Sequence, residues 1–407
     1  MPVVADECGR RGVKAMVVIT SGLDALQGAD LLAACRRYGM RLVGPNCFGV
    51  AVPGIGLDAT FAARHPAPGR VGLVMQSGGL GFALVDRLSR LGLGISSFAS
   101  VGNKYDVSSN DLLTWWEQDG TTELAVLYIE SFGNPRKFAR TARRLGARMP
   151  VLAVEAGRSA AGQQAASSHT AAAAAPLVTR KALFEQAGVI ATDSLGELLD
   201  AAALLASQPV PAGRSVAVIS NIGGAGVLAA ADACTECGLT VHKTSAETRR
   251  RLRALVPSDA AVNGPVDTTA AVQEPTFRRC LELAAADEGA DAILALVLPT
   301  AATGDLIGAI SAANVRIPLA AVVLDQAEPT RLITPVGGAS QAPASRSRRI
   351  PAYASPEAAV LALARATAYG AWRSRPAEDA GDPGESGLLG EDADEDTAQG
   401  LKQAFLK

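Results

Sequence analysis

One histidine of this chain lies where a ring nitrogen could act as a nucleophile. His169 follows Ser167 and Ser168, and the alanine run at residues 171–175 predicts that a helix begins just after it. Unpaired N–H groups and the positive end of the helix dipole favour anions at such a position. A neutral imidazole there could therefore take up a phosphoryl group. The alternative is that Ser167, Ser168 and Thr170 cap the helix and His169 is a solvated neighbour.

Two glycine-rich turns form the second group of candidate residues. Residues 76–81 and 221–226 each follow an apolar strand pattern and precede an apolar helix pattern. Glycine allows a ligand to approach the backbone closely, and a helix N-terminus attracts phosphate. The candidate phosphate ligands are Ser77, Gly78, Gly79, Asn221, Gly223 and Gly224. Neither turn matches the Rossmann or Walker pattern, so two tight turns that bind nothing are the alternative.

A carboxylate is the third candidate. Glu130 directly follows the apolar run at residues 124–129, and ligands in open α/β sheets bind at the carboxyl ends of the strands. Glu130 could accept a hydrogen bond from one ring nitrogen of a histidine, which would fix the tautomer and leave the other nitrogen as nucleophile. The alternative is a solvated charge that ends a strand. A polar loop at residues 102–107, which contains Asn103 and Lys104, is expected at the same edge.

Short β-branched runs alternate with longer helical patterns along most of the chain. Strands are predicted at residues 13–19, 41–43, 71–75, 124–129 and 151–154, and helices at 26–38 and about 81–91. The strands are apolar without alternation and are separated by helices, which predicts parallel sheets covered on both faces. The fold class is therefore doubly wound α/β.

An internal repeat indicates two related domains. Residues 69–81 and 213–226 share the order of strand, glycine-rich turn and apolar helix. Proline-rich boundaries near residues 65–69 and 208–213 divide the chain. The predicted segments are 1–64, 65–208, 209–372 and an acidic linker at 373–407. The first segment holds too few elements for a core of its own, and the last is expected to lead toward a missing domain.

Composition argues against several classes of function. The formal net charge is −2 and aromatic residues make up 4%, so no nucleic-acid surface is expected. No transmembrane helix or signal peptide is predicted. The six dispersed cysteines predict a reducing, cytoplasmic location, and abundant alanine and arginine indicate a bacterial source. No metal site is expected, because the CxxC pair Cys234 and Cys237 lacks a second pair.

Several motifs that occur in one order resemble the NDP-forming acyl-CoA synthetase family, the relatives of succinyl-CoA synthetase that include ADP-forming acetate–CoA ligase. They are Gly44-Pro45-Asn46-Cys47, Gln76-Ser77-Gly78-Gly79, Gly102-Asn103-Lys104, Tyr128-Ile129-Glu130, Ser168-His169-Thr170, Asn221-Ile222-Gly223-Gly224 and Pro265-Val266-Asp267. The resemblance covers about residues 1–370. It implies the C-terminal part of a Rossmann-like CoA-binding domain at residues 1–64, followed by two flavodoxin-like domains.

The resemblance also implies an activity, in which an acid, CoA and ATP give acyl-CoA, ADP and phosphate through an acyl phosphate and a phosphohistidine. His169 would be the phosphorylated histidine, with Glu130 as its partner. The turn at residues 77–79 would face the phosphoryl group, and Pro45 and Asn46 would lie beside the CoA thiol and the acyl group. The implied cofactors are CoA, ATP or ADP, and magnesium, the last two on an ATP-grasp domain or subunit. A small carboxylic acid and phosphate are further ligands, and an oligomer is expected.

Three departures from the family pattern leave an alternative open. The turn that holds the CoA phosphates has no counterpart here, no ATP-grasp part follows, and Ala171 stands where a glycine is expected. The chain is therefore expected to be an acid–thiol ligase fragment or subunit that is inactive without those parts. The alternative is a non-catalytic module of a bacterial protein acetyltransferase that senses acyl-CoA or nucleotide.

Overall fold

A small two-stranded sheet opens the chain. The computed structural model describes residues 1–132, 134–155, 159, 177–335 and 348–375. Its first elements are α1 (Pro2–Arg10), β1 (Ala15–Val17), α2 (Ala25–Arg37) and β2 (Arg41–Val43), with β1 and β2 parallel. The Asp24 side chain accepts a hydrogen bond from the Gln27 N–H and so caps α2. Buried Leu31 and Leu42 help to form the small core of these elements.

A seven-stranded sheet follows in the same unit, which includes Met1–Leu195. Its elements are β3 (Gly49–Val52), β4 (Leu57–Thr60), β5 (Pro68–Met75), α3 (Gly78–Arg90), β6 (Ile95–Ser100), α4 (Ser109–Trp116), β7 (Leu124–Ile129), α5 (Pro135–Gly146), β8 (Val151–Glu155), α6 (Leu177–Ala187) and β9 (Val189–Thr192). The strand order is β4-β3-β6-β5-β7-β8-β9. The last five strands of that order are parallel, and β3 and β4 are antiparallel. The parallel part has the flavodoxin-like order 2-1-3-4-5.

The hairpin at residues 49–60 differs in placement from the sequence analysis, which assigned it to the partial Rossmann-like segment. In the structure β3 pairs with both β4 and β6 and is buried along its whole length. Pairing on both sides gives the buried backbone N–H and C=O groups of β3 partners within the seven-stranded sheet. The proline-rich run near residues 65–69 therefore lies between two strands of one sheet.

The second unit covers Gly196–Ser374 and contains another seven-stranded sheet. Its elements are α7 (Leu195–Leu205), β10 (Ser215–Ser220), α8 (Ala225–Glu236), β11 (Thr240–Val241), α9 (Ala246–Arg253), β12 (Val266–Asp267), α10 (Glu274–Ala285), β13 (Ala292–Val297), α11 (Leu306–Ala312), β14 (Leu319–Val323), β15 (Thr330–Ile333), β16 (Ile350–Tyr353) and α12 (Pro356–Arg373). The order is β11-β10-β13-β14-β16-β15, and β12 also pairs with β10. All pairs are parallel except β15 with β16.

The predicted fold class is confirmed in both units. The strands at residues 41–43 and 124–129 form as predicted, and those at 71–75 and 151–154 lie within β5 and β8. The sequence repeat corresponds to β5-α3 in one sheet and β10-α8 in the other, and each sheet has the 2-1-3-4-5 order. Ligands of this fold bind where the order reverses, between β5 and β7 or between β10 and β13. The acidic segment predicted at 373–407 lies outside the described residues beyond 375.

A buried carboxylate ties helices and strands together in the second unit. Asp287 accepts hydrogen bonds from the Ser245 N–H (2.8 Å), the Thr248 hydroxyl (2.8 Å) and His242 Nε2 (2.9 Å). The Ser215 hydroxyl lies 3.0 Å from His242 Nδ1. Ser215 begins β10 and is therefore at the amino ends of the parallel strands, opposite the edge where ligands of this fold bind. We interpret this Ser–His–Asp network as structural.

The substitution Asp287→Asn should weaken the second unit in a pH-dependent way. Burial raises the pKa of this carboxyl, but hydrogen bonds from Ser245, His242 and Thr248 outweigh it and bring the pKa down to about 2. Because the pKa is lower in the folded state, the carboxylate stabilises that state at pH values above 3.8, the pKa in the unfolded chain. This stabilisation is lost as the pH falls toward 2. The expected difference in unfolding free energy is about 2 kcal/mol at neutral pH, shrinking between pH 4 and pH 2.

Urea unfolding, monitored by hydrogen exchange in peptides of the second unit, measures this difference in unfolding free energy. Asp259→Asn, at an exposed position, is the matched control and should have little effect. A difference between wild type and Asp287→Asn that stays constant from pH 7 to pH 2 would contradict the prediction.

Candidate functional site

Three loops meet at the switch point of the first sheet. They follow β5, β6 and β7, and because these strands are parallel and adjacent, their carboxyl ends lie at one edge. The loop after β5 holds the predicted turn at residues 77–79, the loop after β7 holds Glu130, and the loop after β6 holds Lys104. The fold therefore brings together one predicted phosphate turn and the predicted carboxylate.

The first turn of α3 is an open helix N-terminus. Ser77 is the N-cap residue, and its side chain makes no capping hydrogen bond. The N–H groups of a first helical turn have no acceptor within the helix, so those after Ser77 are available to an anion. A Cβ atom on Gly79 would meet no atom within 4 Å, whereas one on Gly78 would lie 3.1 Å from the Phe48 Cβ atom. Gly78 thus permits close packing, and Gly79 faces open space.

A buried hydroxyl lies beside this helix start. Ser100 ends β6 and is completely buried, and its Oγ atom has no hydrogen-bond partner among the described residues. This atom is 3.6 Å from the position that a Cβ atom on Gly78 would occupy. An unpaired buried hydroxyl is costly, so a ligand or water that bonds it would be stabilising at this point.

Gln76 fixes the position of Glu130. The Gln76 side-chain oxygen accepts hydrogen bonds from the backbone N–H groups of Glu130 and Ser131, the second at 2.9 Å. Gln76 also donates its own N–H to the Tyr128 carbonyl at 3.2 Å. Because Gln76 directly precedes the N-cap of α3, the partly buried Glu130 is held beside the first turn of that helix. The sequence places Gln76 in the predicted turn without this role, and the only signal for it is an amide directly after a buried strand.

The loop at residues 44–46 is joined to the loop after β6. The Asn103 N–H donates to the Pro45 carbonyl at 3.0 Å, and the Asn46 amide donates to the Asn103 side-chain oxygen at 3.2 Å. Gly102 has a φ of 51°, and a Cβ atom there would lie 2.3 Å from the Pro45 carbonyl oxygen. Only glycine permits this approach. The predicted CoA and acyl residues, buried Pro45 and exposed Asn46, are therefore held at the same edge as Lys104.

Aromatic packing holds this loop against α3. The Phe48 ring lies 3.9 Å from the Phe61 ring and 5.5 Å from the Phe82 ring, between ring centroids. Neighbouring Cys47 is buried, its thiol donates to the Val18 carbonyl at 3.2 Å, and burial raises the pKa of the thiol. Cys47 is thus a packing residue and not an activated nucleophile.

Lys104 links the loop after β6 to the loop after β7. Its amine donates hydrogen bonds to the Ser131 carbonyl and to the Ser131 hydroxyl, the latter at 2.7 Å. Burial lowers the pKa of Lys104 to about 8, although the charge of Glu130 acts in the opposite direction. The amine is therefore still largely protonated near pH 7, close to Glu130. The sequence places Lys104 in a polar loop but indicates no role for it.

His169 lies outside the described residues, so its predicted contact with Glu130 stays a prediction. The strand before it, β8, ends at Glu155 and is paired in parallel with β7. The carboxyl end of β8 is consequently at the same edge of the sheet as Glu130. This topology is compatible with a contact between the two residues.

The second glycine turn has a different environment. Both atoms of the Asn221 side-chain amide are engaged by Leu298, the carbonyl and the N–H each at 2.9 Å. The Asp267 carboxylate lies 2.5 Å from the position that a Cβ atom on Gly223 would occupy. Gly224 has a φ of 70° and begins α8 as its N-cap residue. Asn221 thus braces β10 against β13, and the Asp267 carboxylate lies beside the turn. The phosphate role predicted for this turn stays a prediction.

The remaining predictions concern the CxxC cysteine pair, metal ligands and membrane helices. Cys234 and Cys237 lie at the end of α8, and burial raises the pKa of both thiols. In the ranges that the structure describes, no group of three or more His, Cys, Asp or Glu side chains could hold a metal ion. Among the described helices, none has the length and apolar character that a membrane crossing requires.

The two sheets and their turns define a protein with CoA-ligase domains. Residues 68–205 match the succinyl-CoA ligase like flavodoxin domain, and residues 216–371 match the Ligase-CoA domain. The alpha subunit of ADP-forming acetate–CoA ligase I from Pyrococcus furiosus is 32% identical over 390 residues, which are 93% of this chain and 82% of that protein. The chain therefore belongs to the NDP-forming acyl-CoA synthetase family with succinyl-CoA ligase-like domains, as its motifs predict.

Other relatives agree with this assignment. ADP-forming acetate–CoA ligase I of Archaeoglobus fulgidus is 36% identical over 307 residues, which are 74% of this chain and 44% of that protein. The chain therefore spans less than half of that relative, and 38% of a similar ligase of Methanocaldococcus jannaschii is covered. A solved structure from Ca. Korarchaeum cryptofilum, described as a dinucleotide forming acetyl-coenzyme A synthetase 1 in complex with phosphate and ADP, has a TM-score of 0.81 and 30% identity. That alignment covers 91% of this chain and 81% of the other.

Proposed function

We propose that this chain is the CoA-ligase part of an ADP-forming acyl-CoA synthetase. It converts a small carboxylic acid, CoA and ATP into acyl-CoA, ADP and phosphate together with an ATP-grasp domain or subunit. The observation that carries the proposal is the position of Glu130, which Gln76 holds beside the open first turn of α3 at the switch point. The named activities of the relatives support it, since those proteins are ADP-forming acetate–CoA ligases.

In the proposed first step, one ring nitrogen of His169 attacks the γ-phosphorus of ATP. An N–P bond forms, the P–O bond to ADP breaks, and ADP leaves. Glu130 accepts a hydrogen bond from the other ring nitrogen, which fixes the tautomer and stabilises the positive charge that develops on the ring. The first turn of α3, with Ser77, Gly78 and Gly79, faces the phosphoryl oxygens. A helix N-terminus stabilises such an anion by about 0.3–1 kcal/mol when exposed and up to about 2 kcal/mol when partly buried.

In the following steps the phosphoryl group leaves His169 for the acid. A carboxylate oxygen of the acid attacks the phosphorus, the N–P bond breaks, and an acyl phosphate forms. The CoA thiol then attacks the acyl carbonyl, the C–O bond to phosphate breaks, and the thiol proton leaves with the phosphate. Pro45 and Asn46 lie beside the acyl group in this proposal, because their loop is bonded to Asn103 at the same edge.

Magnesium, which the family implies, has no fitting site on the described part of this chain, and we derive no step through it. The second turn, with Asn221, Gly223 and Gly224, is a further candidate for phosphate and has no assigned step in this proposal. We also propose a cytoplasmic location, which the six unpaired thiols support.

Phosphoryl transfer from labelled ATP tests the function. The purified chain is mixed with the ATP-grasp subunit of an ADP-forming acetate–CoA ligase, magnesium and ATP labelled in the γ-phosphate. We expect label on this chain that is stable to base and labile to acid, as a phosphoramidate is. Adding an acid and CoA should then release the label as phosphate and give acyl-CoA. If the chain takes up no label from a subunit that phosphorylates its own partner, the proposal fails and the non-catalytic sensing module is favoured.

A further inference from the structure

We propose that Lys104 is the cationic contact for the phosphoryl oxygens at this site. The inference rests on the proposed function and names a residue for which the sequence provides no role. It assigns the Lys104 amine to an anion, with inorganic phosphate as the simplest ligand of that class.

The backbone around Lys104 is firmly fixed. Lys104 has a φ of 44°, which L-residues seldom adopt, and its N–H donates to the Val101 carbonyl at 2.8 Å. On one side of it, Asn103 is bonded to Pro45. On the other side, Asp106 accepts from Arg41 at 2.9 Å and from the Leu42 N–H at 2.8 Å. A strained conformation persists when its surroundings determine it on both sides, and such positions cluster at ligand sites.

The amine lies between the acyl loop and the phosphoryl carboxylate. Its backbone belongs to the loop that is bonded to Pro45 and Asn46, whereas its Nζ atom reaches Ser131, the residue after Glu130. Ser131 accepts two of the three N–H groups of the ammonium, which leaves a third N–H and the charge for a ligand.

Among the neighbouring carboxylates, Glu130 favours the charged form of Lys104 and by itself repels an anion. Glu130 acts on Lys104 from the end of β7, and Tyr128 on the same strand has a pKa raised by burial and by Glu130. Asp106 is bonded to Arg41 and Leu42 instead. A partly buried ammonium is costly to keep charged, as the lowering of its pKa to about 8 indicates. A phosphate oxygen on the remaining N–H would offset this cost, and the buried Ser100 hydroxyl beside Gly78 is a second donor at the same edge.

The pH dependence of phosphate binding follows from this assignment. The amine is charged below pH 8 and neutral above it, so phosphate should bind less tightly as the pH rises through 8. At a pKa of about 8, the protonated fraction falls about ten-fold between pH 7 and pH 9. An arginine at this position keeps its charge over that range. The titration of phosphate itself affects all variants equally. The ratio of the phosphate affinity of wild type to that of Lys104→Arg therefore reports the protonation of the Lys104 amine alone.

Calorimetric titration of the full chain with inorganic phosphate tests the proposal at pH 7 and pH 9. We expect Lys104→Met to weaken binding at least ten-fold at pH 7, and the affinity of wild type relative to Lys104→Arg to fall about ten-fold between pH 7 and pH 9. Lys243→Met, at an exposed position of the other unit, is the matched control and should bind as wild type does. Circular dichroism of the three variants checks that the fold is retained.

Each outcome separates this proposal from the proposed function. If wild type does not bind phosphate, or if Lys104→Met binds it as tightly as wild type, the assignment of Lys104 is overturned. The labelling experiment could still succeed in that case, and the proposed function would stand. If phosphate binding depends on Lys104 but the chain takes up no label, Lys104 stands as an anion site and the ligase proposal fails.

Discussion

Replacing His169 with alanine is expected to abolish uptake of label from ATP completely. The reaction forms an N–P bond to a ring nitrogen, and alanine has no atom that could replace it. The two other histidines cannot substitute for this one in the proposed scheme, because His242 is buried in the second unit and His65 is an exposed partner of Asp58. Autoradiography of the separated chain after incubation with the ATP-grasp subunit measures the result.

The control for this experiment is His65→Ala, which removes an exposed imidazole from the same unit. Label should remain at the wild-type level in this variant, since the His65 side chain is 85% exposed and takes part in no step of the proposed scheme. Label that persists in His169→Ala would contradict the assignment of the nucleophile, even if the overall ligase reaction is confirmed. The family would then stand and the site would need another nucleophile.

Replacing Glu130 with glutamine should slow phosphorylation about one hundred-fold or more. Groups that hold or transfer a proton in the transition state contribute typically 10²–10⁴-fold to rates. Glutamine keeps the shape and the backbone hydrogen bonds to Gln76, but it removes the negative charge that stabilises the developing imidazolium. Its amide can also donate to the ring nitrogen, which would favour the wrong tautomer. Rapid-quench measurement of label uptake at saturating ATP gives the rate.

The matched control is Glu185→Gln, which neutralises an exposed carboxylate on α6 of the same unit. It should leave the rate within two-fold of wild type by the usual behaviour of exposed substitutions. Unfolding curves for both variants should be alike, because Glu130 is only partly buried. If Glu130→Gln takes up label at the wild-type rate, Glu130 is a strand-ending charge and the carboxylate has no part in the reaction.

Much of the fold could be predicted from local patterns. The strands at residues 41–43 and 124–129 have the predicted bounds, because a buried parallel strand is an uninterrupted apolar run that shows in a short window. The repeat of strand, glycine turn and helix predicts that two domains share a topology, and both sheets have that order. The boundary predicted near residue 65 leaves residues 49–60 in the first segment, whereas β3 and β4 pair within the seven-stranded sheet, because a local pattern does not reveal which strand is its neighbour.

The candidate site could be predicted less completely. The residues at the ends of its strands show in the local sequence, so Glu130 and the turn at residues 77–79 can each be recognised separately. The hydrogen bond between Gln76 and Glu130 and that between Lys104 and Ser131 join residues far apart in sequence. Whether such residues meet depends on which strands are neighbours and how their loops fold.

The sequence by itself determined the doubly wound class, the family and the types of chemical group at the strand ends, because these depend on periodicity and on motifs within one loop. The tertiary structure decided which of those groups share an edge. It placed Lys104 between the acyl loop and Glu130, and it put the Asp267 carboxylate beside the second glycine turn, where the sequence predicted a phosphate. The physical reason is that charge and hydrogen bonding act over a few ångströms, whereas the residues concerned are separated by whole strands and helices.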